Sequence, residues 1–219
     1  VPLTLVCAIA LALALNKAKG AVAFRTIFFF PYVASMVAIC VCWNFMLMKD
    51  GPVNQMIMAL GINFNKSWTA DSTMAMWAII LVSVWRSMGY YMVIYLAALQ
   101  GVPRELYEAA TVDGANKWQQ TKYVTLPALK PIIVMMFILN VGHIFYSDFG
   151  LFYQVTQGVP NSLYNVASTF DTYVYQALQS NVTIGRTAAA GLFQAACCCA
   201  TVLVANFIVS KIDEESAII

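Results

Sequence analysis

Long apolar runs separated by short polar intervals constrain this chain more than any other feature. The stretches from about Ala21 to Leu47, Met74 to Leu99, Pro131 to Phe152 and Thr187 to Ser210 are each predominantly apolar. Roughly 20 such residues in a helix cross the hydrocarbon core of a bilayer. A backbone in lipid must satisfy its own N–H and C=O groups, so these runs are expected as transmembrane helices. Composition agrees: 61% of the 219 residues are apolar and 10% are charged, against about a quarter charged in a soluble domain. Residues 1–15 are apolar but short of a full crossing, and Lys17, Lys19 and Arg25 follow rather than precede them. That is the wrong polarity for a signal peptide, so the run is expected to be the end of a truncated crossing. The fold class is all-α, a single polytopic domain over 1–219.

The polar intervals carry the remaining organisation. The longest, Pro103 to Pro131, holds four of the twelve basic residues and reads as two short helices with a tight turn. Pro103 suits a first helical turn, and Glu105 and Glu108 place negative charge near a helix N-terminus. Asp113-Gly114 supplies a stop. Asn116 caps a second helix, with Gln119 in capping-box position, and that helix is expected to end near Leu126-Pro127. The interval 49–72 is polar at both ends with an apolar middle, Met56–Leu60, which is too short to span and is expected as a short helix at the membrane surface. In 154–185, Val166, Phe170, Val174 and Ala177 recur at helical spacing, giving a helix that rests on the membrane or on a partner, with a plain connecting loop as the alternative.

Basic residues near the ends of spans set orientation. Lys17, Lys19, Arg25, Arg104, Lys117, Lys122, Lys130 and Lys211 fall on one side, leaving Lys49, Lys66 and Arg186 on the other. The richer side is expected to be cytoplasmic. The 103–131 hairpin and the C-terminus then lie inside the cell, and the 49–72 and 154–185 loops outside it.

Several kinds of chemistry lack their residues. There is no G-x-x-x-x-G-K-[ST], so this chain binds no ATP through a P-loop. Cys7, Cys40, Cys42, Cys197, Cys198 and Cys199 all lie in apolar runs, where small packing residues are the favoured reading over metal or redox roles. His143 is the only histidine, and no zinc site assembles by the usual spacings. An intramembrane enzyme would need a nucleophile and base or metal ligands at one depth, and neither H-E-x-x-H nor G-x-S-x-G is present. No basic cluster interleaved with aromatics points to nucleic acid.

The hairpin also resembles something known. Glu108-Ala109-Ala110, Asp113-Gly114-Ala115 and Leu126-Pro127, at this spacing, look like the EAA motif of the membrane subunits of ATP-binding-cassette importers. Val124 stands where isoleucine is commoner. Residues 141–153, VGHIFYSDFGLFY, with Asp171-Thr172-Tyr173-Val174-Tyr175, resemble the LplB-like oligo- and polysaccharide permeases among maltose-type sugar importers. The resemblance implies a type I importer permease fold, usually of six crossings, in the bacterial plasma membrane. It implies a second homologous permease, two ATPase subunits that use ATP and magnesium, an extracytoplasmic solute-binding protein and an oligosaccharide cargo. By position, Glu108 is the contact with the ATPase and Gly114 the hinge. An ordinary helix N-terminal carboxylate is the plainer reading of Glu108. Importers of amino acids, polyamines or phosphate share the hairpin, and only the later stretch argues for sugar.

Ionisable and polar residues inside the crossings are candidates for a substrate path, because each buried charge costs about 2.5–3.5 kcal/mol or more at mid-depth. Arg86 is placed mid-span, and His143 and Asp148 in the fourth crossing. Arg86 either pairs structurally, for instance with Asp148, or lines the path. Trp85, Tyr90, Tyr91, Asn140, Tyr146 and Tyr153 lie in the same crossings. Aromatic faces with amide and charged groups suit a sugar, and the interfacial aromatic belt is the alternative, favoured for Tyr153. Gly185, Ala188, Ala189, Ala190 and Gly191 are expected to allow close helix packing.

Overall fold

The computed structural model describes residues 1–16, 20–62, 66–180 and 184–212, and all regular elements among them are helical. Lys17 and Lys19, used above for orientation, lie outside the described residues. The order is α1 (Pro2–Asn16), α2 (Ala21–Val33), α3 (Met36–Leu47), α4 (Pro52–Ala59), α5 (Ala75–Gln100), α6 (Arg104–Val112) and α7 (Lys117–Gln120). A π-helical turn (Thr121–Thr125) follows, then α8 (Leu126–Gly142), α9 (Phe149–Val155), α10 (Tyr164–Ala167), α11 (Phe170–Gln179) and α12 (Ile184–Ile212). Among the described residues, four stretches are long and apolar enough to cross a membrane: Met36–Ala59, Ala75–Gln100, Lys117–Gly142 and Ile184–Lys211; α1 and α2 are apolar but shorter.

The helices gather into two compact units. The first comprises 1–32, 86–142 and 201–219, the second 33–85 and 143–200. In the first, α1 presents Leu5, Ala8, Ala12 and Leu15, a stripe at three- and four-residue spacing, to Met92, Tyr95, Leu96 and Leu99 of α5 and Leu129 of α8. Small alanines let the backbones approach. The second unit packs Ile39, Cys40 and Leu47 of α3 with Ala75, Ala78, Ile79 and Val82 of α5 and Leu151 and Val155 of α9. Asn44 of α3 donates its amide to the Gln154 carbonyl at 3.0 Å.

Three expectations about the crossings are corrected. The run from Ala21 to Leu47 is two helices, interrupted at Ala34-Ser35, where Ser35 is extended (φ −55°, ψ 127°). Pro31 lies one turn earlier and removes a donor from the end of α2. The second hairpin helix does not end at Leu126-Pro127: α7, the π turn and α8 form one continuous rod, with Pro127 and Pro131 inside it. The Leu126 N–H reaches back five residues to the Thr121 carbonyl, and this wider turn admits Pro127 without the usual clash. The fourth crossing does not reach Phe152. It stops at Gly142, and α9 begins only at Phe149.

The 154–185 interval is also subdivided. Val166 sits on α10 while Phe170, Val174 and Ala177 sit on α11, and α11 buries Thr172 and Ala177. The small residues opening α12 are not packed as expected: nothing lies within 4 Å of a side chain added at Gly185 or Gly191, and Ala188 and Ala189 are exposed.

Candidate functional site

The turn of the hairpin is built as its sequence dictates. Pro103 stands at the N-cap of α6, one residue before the helix proper, and Glu105 lies in the first turn. At the other end the Gly114 N–H donates to the Thr111 carbonyl and the Ala115 N–H to the Ala110 carbonyl, at 3.0 and 2.9 Å. These are the two bonds of a Schellman ending, with Gly114 at φ +78° in the left-handed region. The Asn116 side chain accepts from the Gln119 N–H at 2.9 Å while Gln119 accepts from the Asn116 N–H at 2.8 Å, a complete capping box.

Further bonds tie α6 to the rod. The Tyr107 hydroxyl lies 3.0 Å from Thr125 Oγ1 in the π turn, and Gln120 donates to Thr111 Oγ1 at 3.0 Å. Glu108, Ala109, Asp113 and Gly114 are exposed, Ala110 and Ala115 half-buried, and Leu106, Val112 and Trp118 hold apolar surface out to solvent. Leu126 and Pro127 lie in the first turn of α8. The result is an exposed apolar and acidic helix face fixed to a rod that runs on into a candidate span.

The polar candidates divide between the units. In the first, the Arg86 guanidinium lies 5.4 Å over the Tyr32 ring, Tyr32 stacks on Tyr90 at 4.6 Å, and Tyr90 meets Tyr91 edge-on at 5.2 Å. The Tyr91 hydroxyl donates to Asn140 Oδ1 at 2.8 Å, and the Asn140 amide donates to the Met136 carbonyl at 2.7 Å. Arg86, Tyr90 and Asn140 therefore belong to one cluster. Tyr32 completes it, and sequence reasoning missed it because it lies on another helix.

In the second unit Trp85 packs edge-on to Trp43 at 5.4 Å beside the core. His143, Tyr146 and Asp148 are not on a spanning helix: they occupy the break between α8 and α9. Their rings are 6.2 Å apart for His143 and Tyr146, and the Asp148 carboxylate caps α9 by accepting from the Leu151 N–H at 3.2 Å. An Asp before an apolar run is an N-cap signal that could have located this break.

The break is held by residues not singled out as site candidates. Asp171 Oδ2 accepts from the Ser147 N–H at 2.8 Å and from its hydroxyl at 2.7 Å, and buried Gln194 donates to the Phe145 carbonyl at 2.8 Å. Nearby, Phe149, Tyr153 and Tyr175 form an aromatic trio with centroids 4.9–5.2 Å apart. Phe149, Tyr175, Asp171, Thr187 and Gln194 line an open cavity of about 400 Å³.

An all-helical chain with several stretches long and apolar enough to cross a membrane, one of them continuous with an exposed helix pair, defines a multi-pass membrane protein. More particularly, the chain belongs to the family described as binding-protein-dependent transport system inner membrane components, whose pattern matches residues 4–214. It is 32% identical to LplB of Bacillus subtilis over 94% of this chain and 64% of that protein. It is 36% identical to the lactose transport system permease LacF of Rhizobium radiobacter over 80% of this chain and 59% of the relative. The chain thus spans roughly half to two thirds of the curated relatives it matches. A crystal structure of a bacterial ABC transporter that imports the acidic polysaccharide alginate superposes with TM-score 0.86 at 27% identity, covering 94% of this chain and 72% of that one.

Proposed function

We propose that this chain is a membrane-spanning subunit of an ATP-driven importer of oligo- or polysaccharides. It would form half of a translocation path with a second, homologous permease. Two ATPase subunits would bind ATP and magnesium on the cytoplasmic side, and an extracytoplasmic binding protein would deliver the sugar. The observation that carries this reading is the hairpin: an exposed EAA segment, closed by a Schellman turn and a capping box, continuous through the π turn with a candidate span. A lever transmits motion only if it does not flex, and the Tyr107–Thr125 and Gln120–Thr111 bonds supply that stiffness. The names of the relatives, which include permeases for lactose and for polygalacturonan/rhamnogalacturonan, support sugar as the cargo.

On this reading Glu108, Ala109, Ala110, Asp113, Gly114 and Ala115 face the ATPase, while Leu126 and Pro127 carry its movement into α8. The hairpin and the C-terminus are cytoplasmic and the membrane is the bacterial inner membrane. The candidates for substrate contact are Arg86, Tyr90 and Asn140 in the first unit and, separately, Trp85, His143, Tyr146 and Asp148 in the second. Aromatic faces would stack on sugar C–H surfaces, and the amide and guanidinium would bind hydroxyls. The test is purification of the permease from its native membrane beside Glu108→Ala and Gly114→Val. Wild type should bring down an ATPase and a second permease, and the variants should lose or uncouple the ATPase while remaining in the membrane. An intact permease that brings down no ATPase would overturn the reading.

A further inference from the structure

The backbone from His143 to Asp148 is not helical, and its depth can be read from α12. The Phe145 carbonyl accepts from buried Gln194, which lies inside the candidate span Ile184–Lys211. Gln194 is ten residues beyond Ile184, where α12 begins. At about 1.5 Å per residue that is about 15 Å along the helix, half of a roughly 30 Å hydrocarbon core. α11 runs back along this half of α12. The Phe170 ring lies 6.1 Å from that of Phe193, and Asp171 Oδ1 accepts from Gln194 at 3.4 Å. Further along, Val174, Tyr175 and Leu178 line one cavity with Thr187 and Gly191. As α11 advances its partners on α12 recede, so the two helices are antiparallel and Asp171 lies at the depth of Gln194.

Non-helical backbone persists at such depth only where protein satisfies it or where it lines an aqueous cavity. Successive residues of the break divide between these two. Phe145 and Ser147 are half-buried and gripped: Gln194 holds the Phe145 carbonyl, Asp171 Oδ2 accepts from the Ser147 N–H and hydroxyl at 2.8 and 2.7 Å, and that hydroxyl lies 2.8 Å from Thr169 Oγ1. Tyr146 between them is 47% exposed, and Asp148 is exposed. A carboxylate at this depth is costly unless bonded, and the donors that Asp171 binds are those of the break and of Gln194. We infer that Asp171 and Gln194 are positioning residues: they hold 145 and 147 against the protein so that Tyr146 and Asp148 open onto an aqueous path at mid-depth. The inference rests on the reading of Tyr146 and Asp148 as candidate cargo contacts; Asp171 and Gln194 act through them. Without the tether, the stranded Ser147 N–H and Phe145 carbonyl find partners by winding on from α8. Position 146 then stacks one turn above Gly142, whose face is packed on Val202 of α12.

The experiment is thiol labelling of the permease in its own membrane. The six native cysteines are replaced by alanine, and one is introduced as Tyr146→Cys or, as an exposed apolar control on α12, Leu203→Cys. The probe is the water-soluble cation 2-(trimethylammonium)ethyl methanethiosulfonate. Position 146 should label about tenfold faster than 203 or more, because only the break opens onto water. Adding Asp171→Leu or Gln194→Leu should slow position 146 by about tenfold, while Asp171→Asn, which keeps an acceptor oxygen for Ser147, should stay within about threefold. Rates are read per folded permease, so a role confined to stability, which changes only the amount of protein, does not move them. Equal rates at 146 and 203 would overturn the inference, as would unchanged rates in both leucine variants. Loss of folded permease in both would make the pair structural and overturn it as well. So would an Asp171→Asn rate as slow as that of Asp171→Leu, which would show that the charge acts rather than the bonds to Ser147. Labelling needs neither sugar nor ATPase, so a failure of the importer reading in the pull-down above is distinguished from a failure here.

Discussion

Single buried polar atoms give the sharpest stability predictions. Tyr95 is completely buried among Leu5, Ala8, Met92 and Leu96, and its hydroxyl has no hydrogen-bond partner among the described residues. An unsatisfied buried hydroxyl is a desolvation cost, so Tyr95→Phe should leave the detergent-solubilised protein as stable or more stable, by about 1 kcal/mol, read as an unchanged or raised Tm. Asn54 is the opposite case. Asn54→Ala strands the Trp68 N–H and the Lys49 and Lys66 carbonyls, and should cost about 2–3 kcal/mol in the same melt. Asp71 adds a pH dependence. The Thr73 hydroxyl and backbone N–H, then the Lys66 ammonium 3.4 Å away, hold its carboxyl below the ordinary 3.8. A depressed folded-state pKa contributes stability above the unfolded value and loses it as pH falls through the folded one. Asp71→Asn should therefore melt earlier than wild type at neutral pH, with the gap closing below pH 3.8.

Between elements, backbone contacts decide what can be changed. A β-carbon on Gly89 would collide with the Phe28 carbonyl oxygen, so α2 and α5 meet there at backbone distance. Gly89→Ala forces the two helices apart and strips Tyr32 from Tyr90; it should cost about 3 kcal/mol or more and show as loss of monodisperse protein. At Gly142 the same addition meets only Val202 Cγ2, a side-chain methyl, so Gly142→Ala should remain monodisperse. Gly114 has open space around it and a positive φ, so Gly114→Val strains the turn alone, by roughly 1–2 kcal/mol, without touching the packed units. This makes it a selective probe of hairpin geometry.

At the scale of the molecule, the division between the two compact units falls within α5, at 85–86, and within α12, at 200–201. The all-helical membrane class, the spans near 75–100 and 184–212, the Asn116–Gln119 box and the Asp113-Gly114 stop were all legible in the sequence. Each depends on interactions within a few residues: hydrophobic length against bilayer thickness, or a side chain reaching its own backbone. The interruptions were not. Pro127 reads as a helix end, yet a five-residue reach at Leu126 carries the helix through it; the run from Pro131 to Phe152 reads as one crossing, yet Ser147 is pulled to Asp171, 24 residues away. The candidate residues divide the same way. Glu108 and its neighbours were singled out by a local pattern, whereas the assembly of Tyr32 with Arg86, Tyr90 and Asn140 required three helices to come together. Local propensity and apolar length determined which segments became helices and which turn closed the hairpin. Only tertiary structure decided where the crossings break and which aromatic and polar groups meet, because those bonds join residues whose sequence separation gives neither partner a local signal.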